Sequence, residues 1–185
     1  MKLAVEEHLQ AVSDEARDYR ISAEVTGGEN NSSSKEVREL RELACVDVIR
    51  DSLKKILLLG ERTLGSYTIA LYWRAPEGRS MSLKASRSRA SEALCNSIEI
   101  TGGLVGAIYK RSEFLSLNDL KGGQSRLTYY SSPQEVTSFA GVPIIDGERF
   151  VGVLLADRDD GRAFCPEDAE SLRVCGEEIL RLVQM

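Results

Sequence analysis

Residues 136–185 read VTSFAGVPIIDGERFVGVLLADRDDGRAFCPEDAESLRVCGEEILRLVQM, and this stretch decides the fold. It spells a strand, a tight turn, a second strand, a charged loop and a closing helix. Val142, Pro143, Ile144 and Ile145 end the first strand, and Asp146-Gly147-Glu148 makes the turn. Asp-Gly between two apolar runs is a strong hairpin signal, because glycine accepts the positive φ that such turns need. In the second strand, 149–156, simple alternation puts Val151, Val153 and Leu155 on one face and Phe150, Leu154 and Ala156 on the other. Apolar residues on both faces predict a central strand covered on both sides. Residues 157–161, Asp-Arg-Asp-Asp-Gly, read as a charged loop. Phe164-Cys165-Pro166-Glu167-Asp168 then opens a helix, with proline in its first turn and acids where the helix dipole favours them.

The composition fits a globular chain. Its 185 residues suffice for one domain and an appendage, with 42% apolar and 29% charged residues. A net charge of −5 argues against nucleic acid or an anionic membrane as a partner. The longest apolar run, 151–156, is far short of a membrane span, and the N-terminus MKLAVEEHLQ lacks the apolar core of a signal peptide. Four cysteines, at 45, 95, 165 and 175, show neither paired nor metal-ligand spacing. They read as reduced thiols of a cytoplasmic protein, and no metal or cofactor is expected. Charge is uneven: residues 61–133 hold 6 acids and 10 bases, whereas 134–185 hold 11 acids and 5 bases.

Upstream, residues 2–25 form a moderately amphipathic pattern through Leu3, Val5, Leu9, Val12 and Ala16. A polar Gly/Ser/Asn run, 26–34, follows as a linker, so 1–34 reads as a helix plus linker and 35–185 as the domain. Ser33 and Glu36 have capping-box spacing ahead of a long helix over 35–59. Its apolar stripe is wider than one sheet face requires, which points to a second copy of the same helix as partner. Leu172, Cys175, Ile179 and Leu182 of the closing helix step by three, four and three, a short coiled-coil seam. Leu40, Leu53, Leu172, Ile179 and Leu182 are thus the candidates for a homodimer contact. The competing reading is that both helices simply cover their own sheet.

Residues 60–65 are predicted to break the helix, and 66–74 to form a strand alternating Tyr67, Ile69, Leu71 and Trp73 with Thr68, Ala70 and Tyr72. After the turn Ala75-Pro76-Glu77-Gly78, a strand over 79–86 points Met81, Leu83 and Ala85 inward and Ser80, Ser82 and Lys84 outward. Residues 91–95 suggest a short helix, 97–100 an extended piece and 103–110 another short helix. A long loop, SEFLSLNDLKGGQSRLTYYSSP, then runs over 112–133. Loops of that length in a small domain are usually functional.

This order of parts, over about residues 45–185, resembles the GAF domain family of small-molecule-sensing modules. The resemblance implies an α+β, PAS-related fold with a central antiparallel sheet of five or six strands. Long N- and C-terminal helices would cover one face, and short helices and the loop would roof a ligand site on the other. GLVGAIYKRSEFLSLND, from Gly103, looks like the family's element over that site. Placed there, Cys95, Ile98, Leu104, Tyr109, Tyr129, Tyr130 and Ser138 are the pocket candidates. Lys110, Arg111, Lys121 and Arg126 give the covering segment a positive balance, which suggests a small polar or anionic ligand.

Cyclic-nucleotide-binding members carry Asn-Lys after the last strand, then Phe and Asp-Glu; here those positions read Asp157-Arg158, Phe164, Asp168 and Ala169. Phe and the first acid match and the rest do not. The only histidine, His8, lies in the N-terminal extension, which argues against haem ligation, bilin attachment and a hydrolytic triad. Free methionine sulfoxide reductases share the fold, but the 102–109 element has no cysteine where they place one. Cys165, at the start of the closing helix, is either a stand-in for serine or a thiol activated by the helix dipole. The expectation is a non-enzymatic sensor that dimerises through its terminal helices and signals to an output domain or separate protein. A dimerisation or protein-interaction module with a self-filled pocket is the rival, and a thiol redox enzyme a third reading.

Overall fold

The computed structural model describes residues 31–90, 94–120 and 126–184, with side chains from residue 44 onward. The elements are α1 (Asn31–Leu64), β1 (Thr68–Arg74), β2 (Ser80–Ser88), β3 (Ser97–Glu99), α2 (Gly103–Arg111), β4 (Leu115–Asn118), β5 (Ser138–Asp146), β6 (Arg149–Arg158) and α3 (Pro166–Gln184). Six strands form one antiparallel sheet in the order β3-β2-β1-β6-β5-β4. The expected helix over 2–25 and residues 26–30 of the polar linker lie outside the described residues, whereas 31–34, read as the end of that linker, form the start of α1.

The hairpin read from 136–156 is present, and Gly147 turns it at φ +62°. β6 lies at the sheet's centre between β1 and β5, as its apolar faces require. Two bulges correct the simple alternation. Opposite Ile144 and Ile145, Val151 has no partner, and opposite Leu71 and Tyr72, Lys84 has none. Each unpaired residue turns the following side chains over. Phe150 therefore shares a face with Val153 and Leu155, while Val151 joins Leu154 and Ala156 on the other. Ala85 likewise leaves the face of Met81 and Leu83.

α1 extends past both ends of the predicted 35–59. It starts at Asn31, which puts Ser33 inside the helix, and it runs through Gly60 to Leu64. A glycine costs a helix about 1 kcal/mol relative to alanine. The location explains it: a Cβ on Gly60 would stand 2.8 Å from Ile69 Cδ1, so glycine lets helix and sheet close together. The helix ends one residue before Gly65, whose φ of +59° is the left-handed stop common after helices. β4 falls within the stretch predicted as loop; four residues are too few to leave a readable period, and the open edge of β5 pairs them.

Each sheet face carries its own buried core. α1 and α3 cover one, where Leu53, Ile56 and Leu57 meet Leu172, Ile179 and Leu182 over Ile69, Leu71, Val142 and Leu154. This corrects the proposed seam: Leu53, Leu172, Ile179 and Leu182 are buried within the chain itself. Three-and-four spacing marks any helix face that packs, whether on a partner or on its own sheet. Leu40 lies outside the described side chains. Among the described side chains, the exposed large apolar ones of these helices are Val46, Val48 and Val183. On the opposite face α2 and the segments around it cover Tyr72, Met81, Phe139, Phe150 and Val153.

Candidate functional site

The second face holds a carboxylate where the sequence suggests solvent. β6 continues two residues past the predicted strand end, and its alternation then points Asp157 under the covering segment and Arg158 toward the helices. Both residues are buried. Asp157 Oδ2 accepts hydrogen bonds from the hydroxyls of Tyr129 (2.7 Å) and Tyr130 (2.8 Å). Its Oδ1 accepts from the Thr68 backbone N–H at 3.0 Å, and its carbonyl accepts from Tyr67 N–H at 2.8 Å. The Thr68 hydroxyl lies 2.6 Å from the Tyr130 hydroxyl and 2.6 Å from that of Ser88, so a chain of hydroxyls leads away from the carboxylate.

These partners are neutral. Burial therefore dominates and pushes the Asp157 carboxyl up to about 7, although the Tyr129, Tyr130 and Thr68 bonds pull the other way. Burial also drives the hydroxyls of Tyr72, Tyr129 and Tyr130 well above the usual tyrosine range.

Most of the pocket candidates meet here. Tyr129, Tyr130, Ile98 and Leu104 lie in one buried cluster. Cys95 and Tyr109 pack at its margin. The Cys95 carbonyl accepts the Tyr72 hydroxyl at 2.7 Å, and Tyr109 meets Phe150 edge-on with ring centres 5.1 Å apart. Ser138 does not join them. It shares a strand face with Ala140 and Val142, and its hydroxyl donates to the Arg162 carbonyl at 2.7 Å. Lys110, Arg111 and Arg126 are exposed, so their charge lies on the surface; Lys121 is outside the described residues. Asp157, Thr68, Tyr72 and Ser88 escaped sequence reasoning. An acidic residue two positions past an apolar strand looks like the start of a loop, and the Tyr129-Tyr130 pair is the only local hint that hydroxyl donors await it.

On the helix side, Arg158 Nε donates to the Leu64 carbonyl at 3.0 Å and Nη1 to the Ala163 carbonyl at 2.6 Å. Its Nη2 also reaches Leu64 and stands 3.1 Å from Asp168 Oδ1, while the guanidinium lies 4.2 Å from the centre of the Phe164 ring. The partly matched Phe164 and Asp168 thus serve a structural lock, in which Asp168 also accepts the Cys165 N–H at 2.9 Å as a helix cap. Burial opposes ionisation of Asp168, but the Cys165 N–H and Arg158 bonds outweigh it and lower its pKa. Cys165 departs from the activated-thiol reading: it is exposed at the helix start, yet its bond to the Glu167 carboxylate raises its pKa. Among the described residues no group of three or more metal-ligating side chains gathers, and no helix is long and apolar enough to cross a membrane.

A profile of the GAF domain family matches residues 49–180. The chain belongs to the GAF domain family. Solved structures agree on the fold. The GAF domain of an Acinetobacter phosphoenolpyruvate-protein phosphotransferase is 19% identical at a TM-score of 0.63, covering 84% of this chain and 95% of that one. A type II free methionine-R-sulfoxide reductase from Thermoplasma acidophilum is 17% identical at 0.63, covering 76% and 95%. A GAF domain/HD domain protein from Geobacter sulfurreducens is 14% identical at 0.56, covering 74% and 93%. No curated protein sequence matches the chain. At these identities the structures share a fold with this GAF domain and nothing finer. The family is generally sensory or regulatory.

Proposed function

We propose that this GAF domain is a sensory module that binds a small polar molecule on the sheet face of Asp157, Tyr129 and Tyr130. Its output would pass through α1 and α3. The observation that supports this reading is the buried Asp157 carboxylate, held by neutral hydroxyls beneath a covering segment. Buried polar clusters of this kind are costly unless satisfied, and they concentrate at sites of function. An uncharged or cationic ligand suits the carboxylate better than the anionic one that the surface charge suggests. A reducing compartment such as the cytoplasm suits the four free thiols.

The test is native mass spectrometry of the purified protein, followed by calorimetry against a metabolite panel. A co-purified small molecule, or a binder lost in Asp157→Asn, supports the proposal; no bound mass and no binder at millimolar concentration count against it. The rival, a dimerisation module whose site is filled by its own side chains, draws support from the complete burial of Tyr129, Phe139 and Ile108. A dimer without bound mass favours that rival. Its interface would use the exposed Cys45, Val46 and Val48 of α1, in place of the buried seam residues. Activity on free methionine sulfoxide would overturn both readings in favour of an enzyme.

A further inference from the structure

Asp157 and Arg158 are consecutive residues whose side chains serve opposite cores. Asp157 anchors the covering segment through Tyr129 and Tyr130 and the start of β1 through Tyr67 and Thr68. Arg158 holds the last residue of α1, Leu64, and the first turn of α3, through Asp168. Its guanidinium also binds the Ala163 carbonyl and covers Phe164. Its own carbonyl is fixed by the N–H and hydroxyl of Thr137, at 2.7 and 3.0 Å. Arg158 is thus tied to both helix ends by a rigid, planar fork of donors. We propose that Arg158 is a positioning residue that carries a change at the Asp157 carboxylate to the paired ends of α1 and α3. This deepens the sensory reading, but its test uses a proton in place of a ligand, so failure of one is distinguishable from failure of the other.

The front side has a ready means of changing. An ionised Asp157 accepts three hydrogen bonds; a protonated one must donate, so one tyrosine hydroxyl has to turn away. Tyr130 has a second acceptor in the Thr68 hydroxyl, which can turn in its own right toward Ser88. The rearrangement is therefore a reorientation of hydroxyls along a path already in place. The titratable groups around the carboxylate are Tyr129 and Tyr130 from the covering segment and Tyr67 and Tyr72 from β1 and its approach. Asp159 lies just beyond β6 and stands 3.7 Å from Arg89, while β5 presents Phe139 opposite Asp157. Asp168 titrates below the usual carboxylate range, well away from Asp157.

The experiment is an NMR titration of the full chain from about pH 5.5 to 8.5, a window centred on the Asp157 value of about 7. It follows the Asp157 carboxyl carbon together with the amides of Gly65, Ser66 and Ala169. The helix-end amides should shift with the midpoint of Asp157. Asp157→Asn should abolish both responses, which also controls for His8. Arg158→Gln should keep the Asp157 titration and lose the helix-end response. Because that change leaves Asp168 without its cation, Arg158→Lys serves as a second variant: it keeps the charge without the fork, and should reduce the amplitude at least twofold. Flat helix-end amides while Asp157 titrates, an unaltered response in either Arg158 variant, or no titration of Asp157 in the window would each overturn the proposal.

Discussion

The Tyr129 hydroxyl donates to Asp157 Oδ2 at 2.7 Å, and through that bond the covering segment is fastened to the end of the sheet's central strand. The bond matters most when the carboxyl is ionised. Tyr129→Phe leaves Oδ2 with the Tyr130 hydroxyl alone among its two tyrosine donors. The loss should be about 1–3 kcal/mol at pH 8, the usual scale for a buried charged acceptor losing a donor. At pH 5, where Asp157 is protonated, it should be smaller. Urea unfolding at the two pH values reads the difference, and equal losses would contradict it.

Asp157 also predicts how stability varies with pH. Its folded pKa of about 7 stands above the ordinary 3.8. Between those values the folded chain holds a proton that the unfolded chain has released, so stability falls as pH rises through the window and levels off above it. A gap of this size corresponds to roughly 4 kcal/mol. Asp157→Asn should flatten the profile over that range. Asp160 and Asp168, whose pKa values are lowered, act with the opposite sign and at lower pH. Chemical denaturation of the unaltered chain and of Asp157→Asn from pH 4 to 8 measures both profiles.

Two helix glycines should respond differently to alanine. A Cβ on Gly176 in α3 would meet Val142 and Ile144 at 3.6 and 3.7 Å, ordinary contact distances. Gly176→Ala should therefore gain about 0.5–1 kcal/mol from helix propensity. A Cβ on Gly60 would meet Ile69 Cδ1 at 2.8 Å. There the propensity gain is opposed by overpacking, which commonly costs about 1–3 kcal/mol. Thermal melts of the two variants should shift up for Gly176→Ala and down or not at all for Gly60→Ala.

The cysteines should differ in reactivity for reasons of charge and burial. The Cys165 thiol is raised by its bond to Glu167, so Glu167→Gln should speed its alkylation near neutral pH. Burial pushes the Cys175 thiol up to about 11, and it should react only when the fold opens. Mass-spectrometric labelling kinetics resolve both, and an unchanged Cys165 rate in Glu167→Gln would remove the carboxylate as the cause.

Local chemistry was enough to establish the hairpin of β5 and β6, the proline-opened α3, the central position of β6 and the family. Each rests on residues close in sequence: glycine at a positive-φ turn, proline at a helix start, apolar runs of strand length. Tyr109, Tyr129, Tyr130, Ile98 and Leu104 are assigned to one region by the resemblance to the GAF family, whose order of elements brings them together. Only the tertiary structure decided the rest. The bulges at Lys84 and Val151 depend on pairing with another strand, and a single unpaired residue reverses every side chain after it. Whether the helix seams face a partner or their own sheet cannot be read from three-and-four spacing, which is the same for both. Asp157 carries the same carboxylate in a solvated loop as beneath two tyrosines. What separates those cases is water, and water is excluded here by residues some 27 to 89 positions away in the chain.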